Sequence, residues 1–366
     1  MRDPRAALRQ FALEGEPVGI GPFPGGHIND SYRVTVRRGA ARLTYVLQRI
    51  NPAVFPDPAR VMENVVRVTQ HLTRRLQASG VGDWRRRVIA LVPARDGASW
   101  VTDPDGGNWR LYPFIDARVT ERAHTPSEAH AAAGAFGQFL QLLADYGGPP
   151  LHETIPGFHD TRTRYAALDR AVAADAGARV VGARAEIDAV LAQRALADVL
   201  PPLLESGEVP LRVVHNDAKI SNVLFDAATG EALGVVDLDT VMPGSALHDF
   251  GDLVRSMASP TDEDETHLER VGVRLEFFAA LARGFLEAAG AILTPREREL
   301  LVFAGRLATL EQAVRFFTDY LDGDHYYRTT RPRQNLDRGR AQLRLFDSLT
   351  ARAGELEAIV ERAACT

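Results

Sequence analysis

Hydrophobic positions change their period along the chain, and that change divides it. Up to residue 115 apolar and polar side chains alternate in short runs. Such alternation marks half-buried strands. It predicts strands over 19–22, 31–36 and 44–50, the last two joined through Arg38, Gly39 and Ala40 as a hairpin. Val61, Val65, Val68 and Leu72 then recur at helical spacing and predict a helix over 57–78. Three further strands are predicted over 87–92, 99–102 and 109–115. The turn formers D-P-D-G-G-N separate the last two.

After Phe114-Ile115-Asp116 the pattern becomes helical. Ala- and Leu-rich runs predict helices over 127–146, 161–174 and 186–200. A short β region over 211–215, 223–225 and 232–237 interrupts them. From Leu247 onward the chain is nearly all helical, with turns near Pro260, over 290–295 and over 322–324. No internal repeat is present. A β-rich lobe over 1–115 followed by a helical lobe over 116–366, with a short β insert, is the outline of an α+β, bilobal, protein-kinase-like fold.

Composition narrows the function classes. Net charge is -5, so no basic field favours nucleic acid. The single Cys365 has no intrachain disulfide partner, and no Cys/His set has zinc spacing. No apolar run approaches the roughly 20 residues that span a bilayer. The N-terminal segment lacks the apolar core of a signal peptide. A cytoplasmic, reducing location and no membrane partner are expected. Among 43 Lys plus Arg there is one lysine, Lys219. In a chain so biased toward arginine, that one position requires an explanation.

Chemistry concentrates in V-V-H-N-D-A-K-I-S-N-V-L-F, residues 213–225. Asp217 and Asn222 have the D-x-x-x-x-N spacing of a phosphoryl-transfer loop. Phosphoryl transfer needs an oriented hydroxyl, a metal bridging phosphate oxygens, and cations near developing charge. An Asp accepts the hydroxyl proton, and an Asn carbonyl is a hard oxygen suited to Mg²⁺. The apolar run V-V-D-L-D then aims Asp237 at the same metal, with Asp239 on the same side of an extended backbone. Any one of these acids alone is an ordinary strand end. Together they predict an enzyme.

With those segments in place, the chain resembles the aminoglycoside phosphotransferase and choline kinase-like family. Within it, the chain is similar to the N-acetylhexosamine 1-kinases. The resemblance rests on G-H-I-N-D-S-Y (26–32), Y-V-L-Q (45–48), H-N-D-A-K (215–219), V-D-L-D-T-V-M-P-G (236–244), D-F-G-D (249–252) and R-F-F-T-D-Y-L (315–321). It implies ATP and Mg²⁺ as cofactors and an N-acetylhexosamine, GlcNAc or GalNAc, phosphorylated on its anomeric hydroxyl. Asp217 would be the base, and Asn222 and Asp237 the metal ligands. Asp249-Phe250-Gly251 spells the D-F-G of protein kinases, but the metal acid is expected sooner after Asn222, where Asp237 lies. Asp249 is expected to steady the loop through His215.

On the nucleotide side, Gly25, Gly26, Asn29 and Ser31 are the candidate phosphate cover, because glycines admit backbone N–H groups and the polar side chains add donors. The third strand lacks the usual kinase lysine. Gln48 or Arg49 would substitute, on opposite faces of the strand, with Glu63 as the helix acid in reach. Tyr112 and Phe114 belong to the expected adenine hinge over 110–115, which begins at Arg110. Lys219, two residues beyond Asp217, is expected to reach the γ-phosphate. On the acceptor side the candidates are His27, Arg315 and Tyr320, with Asp319 and the His159-Asp160 pair. Phe250 is a pocket wall or a core residue. Arg315 and Asp319 also have the spacing of a helix salt bridge. The alternative acceptor is another small hydroxyl compound: a different hexose, an amino alcohol or an aminoglycoside. A monomer or weak homodimer is expected.

Overall fold

A computed structural model describes residues 3–23 and 28–365. After a short helix α1 (Pro4–Leu8) come strands β1 (Glu16–Pro22), β2 (Asp30–Arg38) and β3 (Ala41–Arg49), then β4 (Val101–Thr102) and β5 (Asn108–Pro113). They form one antiparallel sheet in the order β1-β2-β3-β5-β4. Alternation separates its two faces. Tyr32, Val34, Val36, Leu47, Trp109 and Leu111 pack against Ala7, Leu8 and Phe11. The register Ser31↔Gln48, Gln48↔Arg110 and Val46↔Tyr112 puts the polar set on the other face.

Helix α2 (Pro58–Ala78) starts on Asp57, whose carboxylate accepts the Arg60 N–H, with Pro58 at its first position. Val61, Val65, Val68 and Leu72 are buried, as the helical period requires. They join the large core of the helical part rather than the core above the sheet. That part comprises α3 (Pro126–Leu143), α4 (Thr161–Ala174), α5 (Arg184–Leu191) and α6 (Leu200–Ser206), then α7 (Ala246–Met257), α8 (Leu275–Ala289), α9 (Pro295–Glu299), α10 (Leu301–Asp322), α11 (Gln334–Ala351) and α12 (Ala353–Ala364). Two small sheets lie between α6 and α7. In one, β6 (Arg212–Val214) pairs with β9 (Met242–Gly244). In the other, β7 (Val223–Phe225) pairs with β8 (Ala232–Val235). The expected α+β, protein-kinase-like architecture is therefore present. Among the described residues no helix is long and apolar enough to cross a membrane.

Three local expectations change. No strand forms over 87–92. Val88 and Ile89 are buried in the core, Arg87 is held by Asp83 at 2.7 Å and Glu231 at 2.9 Å, and the Val92 N–H meets the Leu111 carbonyl at 2.8 Å without a ladder forming, so the apolar pattern reflects burial. The single helix expected over 186–200 breaks after Leu191 and restarts at Leu200, with Pro201 and Pro202 in its first turn. Neither proline can donate to a preceding helical ladder. Strand β9 was not predicted, because Pro243 sits inside it. It pairs only with β6, so its missing donor costs nothing on the open side.

Helices α3 and α8 approach unusually closely. A Cβ added at Gly284 would lie 2.2 Å from the His130 carbonyl oxygen. Gly284→Ala should therefore force the pair apart and destabilise the fold by about 1–3 kcal/mol, read as a lower midpoint in urea unfolding.

Candidate active site

The loop between β6 and β7 is built from its backbone outward. Asn216 adopts a left-handed conformation, with φ of 63°. Asparagine tolerates that region better than most residues. The Asp249 carboxylate on α7 accepts the N–H of His215 at 3.0 Å and that of Asn216 at 2.7 Å. Asp249 thus steadies the loop as expected, but through backbone amides rather than the His215 ring. That ring donates from Nε2 to the Val236 carbonyl at 2.9 Å and packs edge-on against Phe136 and Phe139. Thr240 donates its hydroxyl to the His215 carbonyl at 2.7 Å.

Asp217 follows this clamped pair. Its Oδ2 accepts from Lys219 Nζ at 2.7 Å and from Asn222 Nδ2 at 3.0 Å. Burial pushes its carboxyl up. The Lys219 charge and hydrogen bond, with help from His215 and Asn222, overcome that and hold it down at about 2. Val236 donates its N–H to the Asn222 carbonyl at 2.8 Å, so Asn222 and Asp237 lie at the same end of the β7–β8 pair. Asp237 also sits at a φ of 63°. Burial, then the charges of Asp239 and Asp217, push its carboxyl up to about 6 against the pull of Lys219 and Arg110. Among the described residues, the Asp237 carboxylate and the Asn222 side-chain oxygen accept no hydrogen bond. Two unengaged hard oxygens beside crowded acids suit a small divalent cation. Among the described residues, no three His, Cys, Asp or Glu side chains group to hold one, so other ligands would come from phosphate and water.

Asp239 has a different fate. It is gripped by both terminal nitrogens of Arg110, Nη2 at 3.0 Å, and by Asn29 Nδ2 at 2.7 Å. Gln48 Oε1 accepts from Arg110 at 2.7 Å, and its Nε2 donates to Ser31 at 3.0 Å. On β3, Gln48 is therefore the residue on the Asp239 face. Arg49 lies on the other face, 3.8 Å from Asp30 and beside Gly107. Asn29 is engaged with Asp239 and with the Asn51 N–H at 3.0 Å, so its side chain is not an idle donor. The expected pairing of Glu63 with β3 is absent. Glu63 instead meets His152 at 2.7 Å and Arg67, one helical turn on, at 2.9 Å. Tyr112 shares the Arg110 face. Burial, with the charges of Asp237 and Asp239, raises its hydroxyl against the pull of Arg110. Phe114 packs against Phe23, with Arg33 over its ring at 5.0 Å. Gly25, Gly26 and His27 lie outside the described residues.

On the acceptor side, Arg315 makes no salt bridge with Asp319. That carboxylate accepts the N–H groups of His325, Tyr326 and Tyr327 and the Asn335 amide, and so organises the loop after α10. Arg315 has no carboxylate partner among the described residues. It lies over Phe158 at 5.3 Å and over Tyr326 and Tyr327, each at 5.7 Å. Tyr320 does not join it. The Tyr320 ring is buried in a separate core with Tyr165 and Phe317, capped by Arg179. Phe250 is a core residue between Phe278 and Phe285. Asp160 caps α4. His159 lies behind the loop, 3.0 Å from both Glu311 and the Asn216 carbonyl.

Tyr326 and Tyr327 were missed as site residues, and Arg110 was expected only as part of the adenine hinge, not for its side chain. For Arg110 a signal existed: it stands two residues before Tyr112, hence on the same strand face. The two tyrosines gave none, because their placement depends on the Asp319 contacts across a loop.

A loop of this kind, hung between a sheet and a helical bundle, is how kinase-like phosphotransferases present a hydroxyl to a phosphate. The chain matches the APH phosphotransferase enzyme family over residues 19–301 and belongs to that family. It is a small-molecule phosphotransferase that acts on hydroxyl groups. Its fold is similar to an aminoglycoside phosphotransferase from Alicyclobacillus acidocaldarius, with TM-score 0.60 and 16% identity, covering 99% of this chain and 97% of that one. It is also similar to a microcompartment-associated aminopropanol kinase, with TM-score 0.57 and 15% identity over 97% of each chain. A spectinomycin phosphotransferase in complex with ADP and spectinomycin matches at TM-score 0.50 and 14% identity, over 95% and 94%.

Arg110 and Asp239 are 5% and 2% exposed, so neither charge can turn to water. Arg110→Leu should cost about 3–5 kcal/mol in chemical unfolding by stranding the acid. The Arg110→Leu/Asp239→Leu double variant should recover a large part of that loss.

Proposed function

We propose that the protein transfers the γ-phosphoryl group of ATP to the anomeric C1 hydroxyl of an N-acetylhexosamine, GlcNAc or GalNAc. Asp217 orients the hydroxyl and takes its proton. A carboxylate held at about 2 is a weak base, but a loose, metaphosphate-like transition state needs orientation more than early proton removal. Lys219 places a compact positive charge beside that oxygen, 2.7 Å from Asp217. Asn222 and Asp237 would hold Mg²⁺, which when bound supplies charge neutralisation across the phosphates. Ser31 and Gln48 line the sheet face toward those phosphates, and Val46, Tyr112 and Phe114 the part toward the adenine.

One observation carries the substrate class. Arg315 is a guanidinium with no carboxylate partner among the described residues, walled by Phe158, Tyr326 and Tyr327. It stands one helical turn from Glu311, which reaches the catalytic loop through His159. Burial opposes its charge, but the two tyrosines and Glu311 favour it. A fixed cation with aromatic walls suits the hydroxyl and acetamido oxygens of a neutral sugar. It disfavours a cationic amine.

Asp217→Asn should lower kcat by at least about 10²-fold while nucleotide binding persists. Undiminished turnover would refute the base. An ADP-release screen over N-acetylhexosamines, hexoses, choline and aminoglycosides tests the acceptor. Turnover of a cationic acceptor with none on GlcNAc or GalNAc would overturn the sugar assignment.

Lys219→Arg should lower kcat by about tenfold or more with little change in Tm, because a planar fork cannot replace a point charge there. Wild-type kcat in that variant would remove Lys219 from the chemistry.

A further inference from the structure

Four backbone groups flank the left-handed turn before Asp217, and side chains satisfy all four. Asp249 takes both N–H groups, at 3.0 and 2.7 Å. Thr240 takes the His215 carbonyl at 2.7 Å. The fourth, the Asn216 carbonyl, meets His159 Nε2 at 3.0 Å, while Nδ1 of the same ring meets Glu311 Oε1 at 3.0 Å. A carbonyl and a carboxylate only accept. Both ring nitrogens must therefore donate, and only the doubly protonated ring does so. The neutral ring, in either tautomer, would leave one of the two contacts broken.

We propose that His159 is a positioning residue: an imidazolium that bridges Glu311 and the Asn216 carbonyl and so fixes the turn that aims Asp217. This rests on the assignment of Asp217 as the base.

The surroundings fit a retained charge. The side chain is 14% exposed. Burial pulls the ring pKa down, but the Glu311 hydrogen bond and charge outweigh it, and the net shift is upward. Burial pushes Glu311 up too, yet His159, Arg315 and the Thr161 hydroxyl, which donates at 2.6 Å, hold it at about 2. From α7, Asp249 favours the imidazolium. His248, stacked on the ring at 4.6 Å, is pushed down to about 3 by burial and by the His159 charge, so it stays neutral. From α10, Arg315 opposes the charge. The cavity beside the two histidines is ≈ 10 Å³ and mostly apolar-lined, too small to replace the bridge with bulk water. The sign follows: the bridge is complete below the ordinary histidine pKa and is lost as pH rises through the higher folded value.

Two measurements on the full chain test this, the first without any acceptor. Long-range ¹H–¹⁵N NMR of the histidine rings, assigned by the His159→Gln spectrum, should show both His159 nitrogens protonated at pH 6.5. In Glu311→Gln the ring should be neutral there. A neutral wild-type ring at that pH overturns the proposal whether or not the kinase reading stands. Amide exchange of the 213–223 peptide should be about tenfold faster in His159→Leu and restored in His159→Gln, whose amide can occupy the place of Nε2. Unchanged exchange in His159→Leu overturns the proposal. With the acceptor that supports turnover, His159→Leu should lower kcat by about 10- to 10²-fold at unchanged KM for ATP, and His159→Gln should recover most of it. The alkaline fall in wild-type kcat should be missing in His159→Gln. Its persistence there, or wild-type kcat in His159→Leu, overturns the proposal.

Discussion

One buried ion pair ties the sheet to the chemistry. Arg110 comes from the middle strand pair of the N-terminal sheet, and Asp239 from the segment after β8. Such a pair gains little net stability over apolar packing of the same shape, but breaking one side of it is severe. Its value here is registry. Arg110 also binds Gln48, Gln48 binds Ser31, and Asn29 adds a second donor to Asp239. Strands β2, β3 and β5 therefore reach one carboxylate, and Asn29, just before β2, reaches it too. Displacing Asp239 would move the sheet face relative to Asn222 and Asp237 together.

The loop that carries Asp217 meets that registry through Thr240, the neighbour of Asp239. Asn216 within that loop, and Asp237 after β8, adopt left-handed backbone that most side chains avoid. Such conformations persist where surrounding bonds over-determine them. Around Asn216 the bonds come from α7, from the segment after β8, and from the segment before α4. None of these partners is near Asn216 in sequence. The loop is rigid because distant parts of the helical bundle agree on one position for it.

This distribution explains what the sequence could disclose. The period-2 and period-3.6 patterns placed β2, α2 and α4 to within a residue or two and β3 to within three, because burial on one face dictates them. The D-x-x-x-x-N spacing of Asp217 and Asn222 pointed to a phosphotransferase, because that signature is local in the chain. What failed depends on partners far along the chain. Glu63 was assigned to β3 by analogy with an ordinary kinase, yet its partners are His152 and Arg67. Tyr320 was chosen from a motif on α10. The helix turns it into the core, and the loop held by Asp319 brings Tyr326 and Tyr327 to Arg315 instead. The segment over 87–92 was hydrophobic because Val88 and Ile89 are buried, and it forms no strand.

Charge pairing separates the two acids of V-V-D-L-D. Three carboxylates crowd the site, Asp217, Asp237 and Asp239, and two cations answer them. Lys219 is committed to Asp217, and Arg110 to Asp239. Asp237 is left over, and its carboxyl is pushed up to about 6. Raising that carboxyl is the cost of an anion buried, and held among anions, without a donor. A divalent cation would remove that cost and leave one positive charge to face a phosphate. Asp239 has no comparable need, because its oxygens are already taken. Two acids that look equivalent in the sequence are thus made unequal by one arginine on a strand more than a hundred residues away.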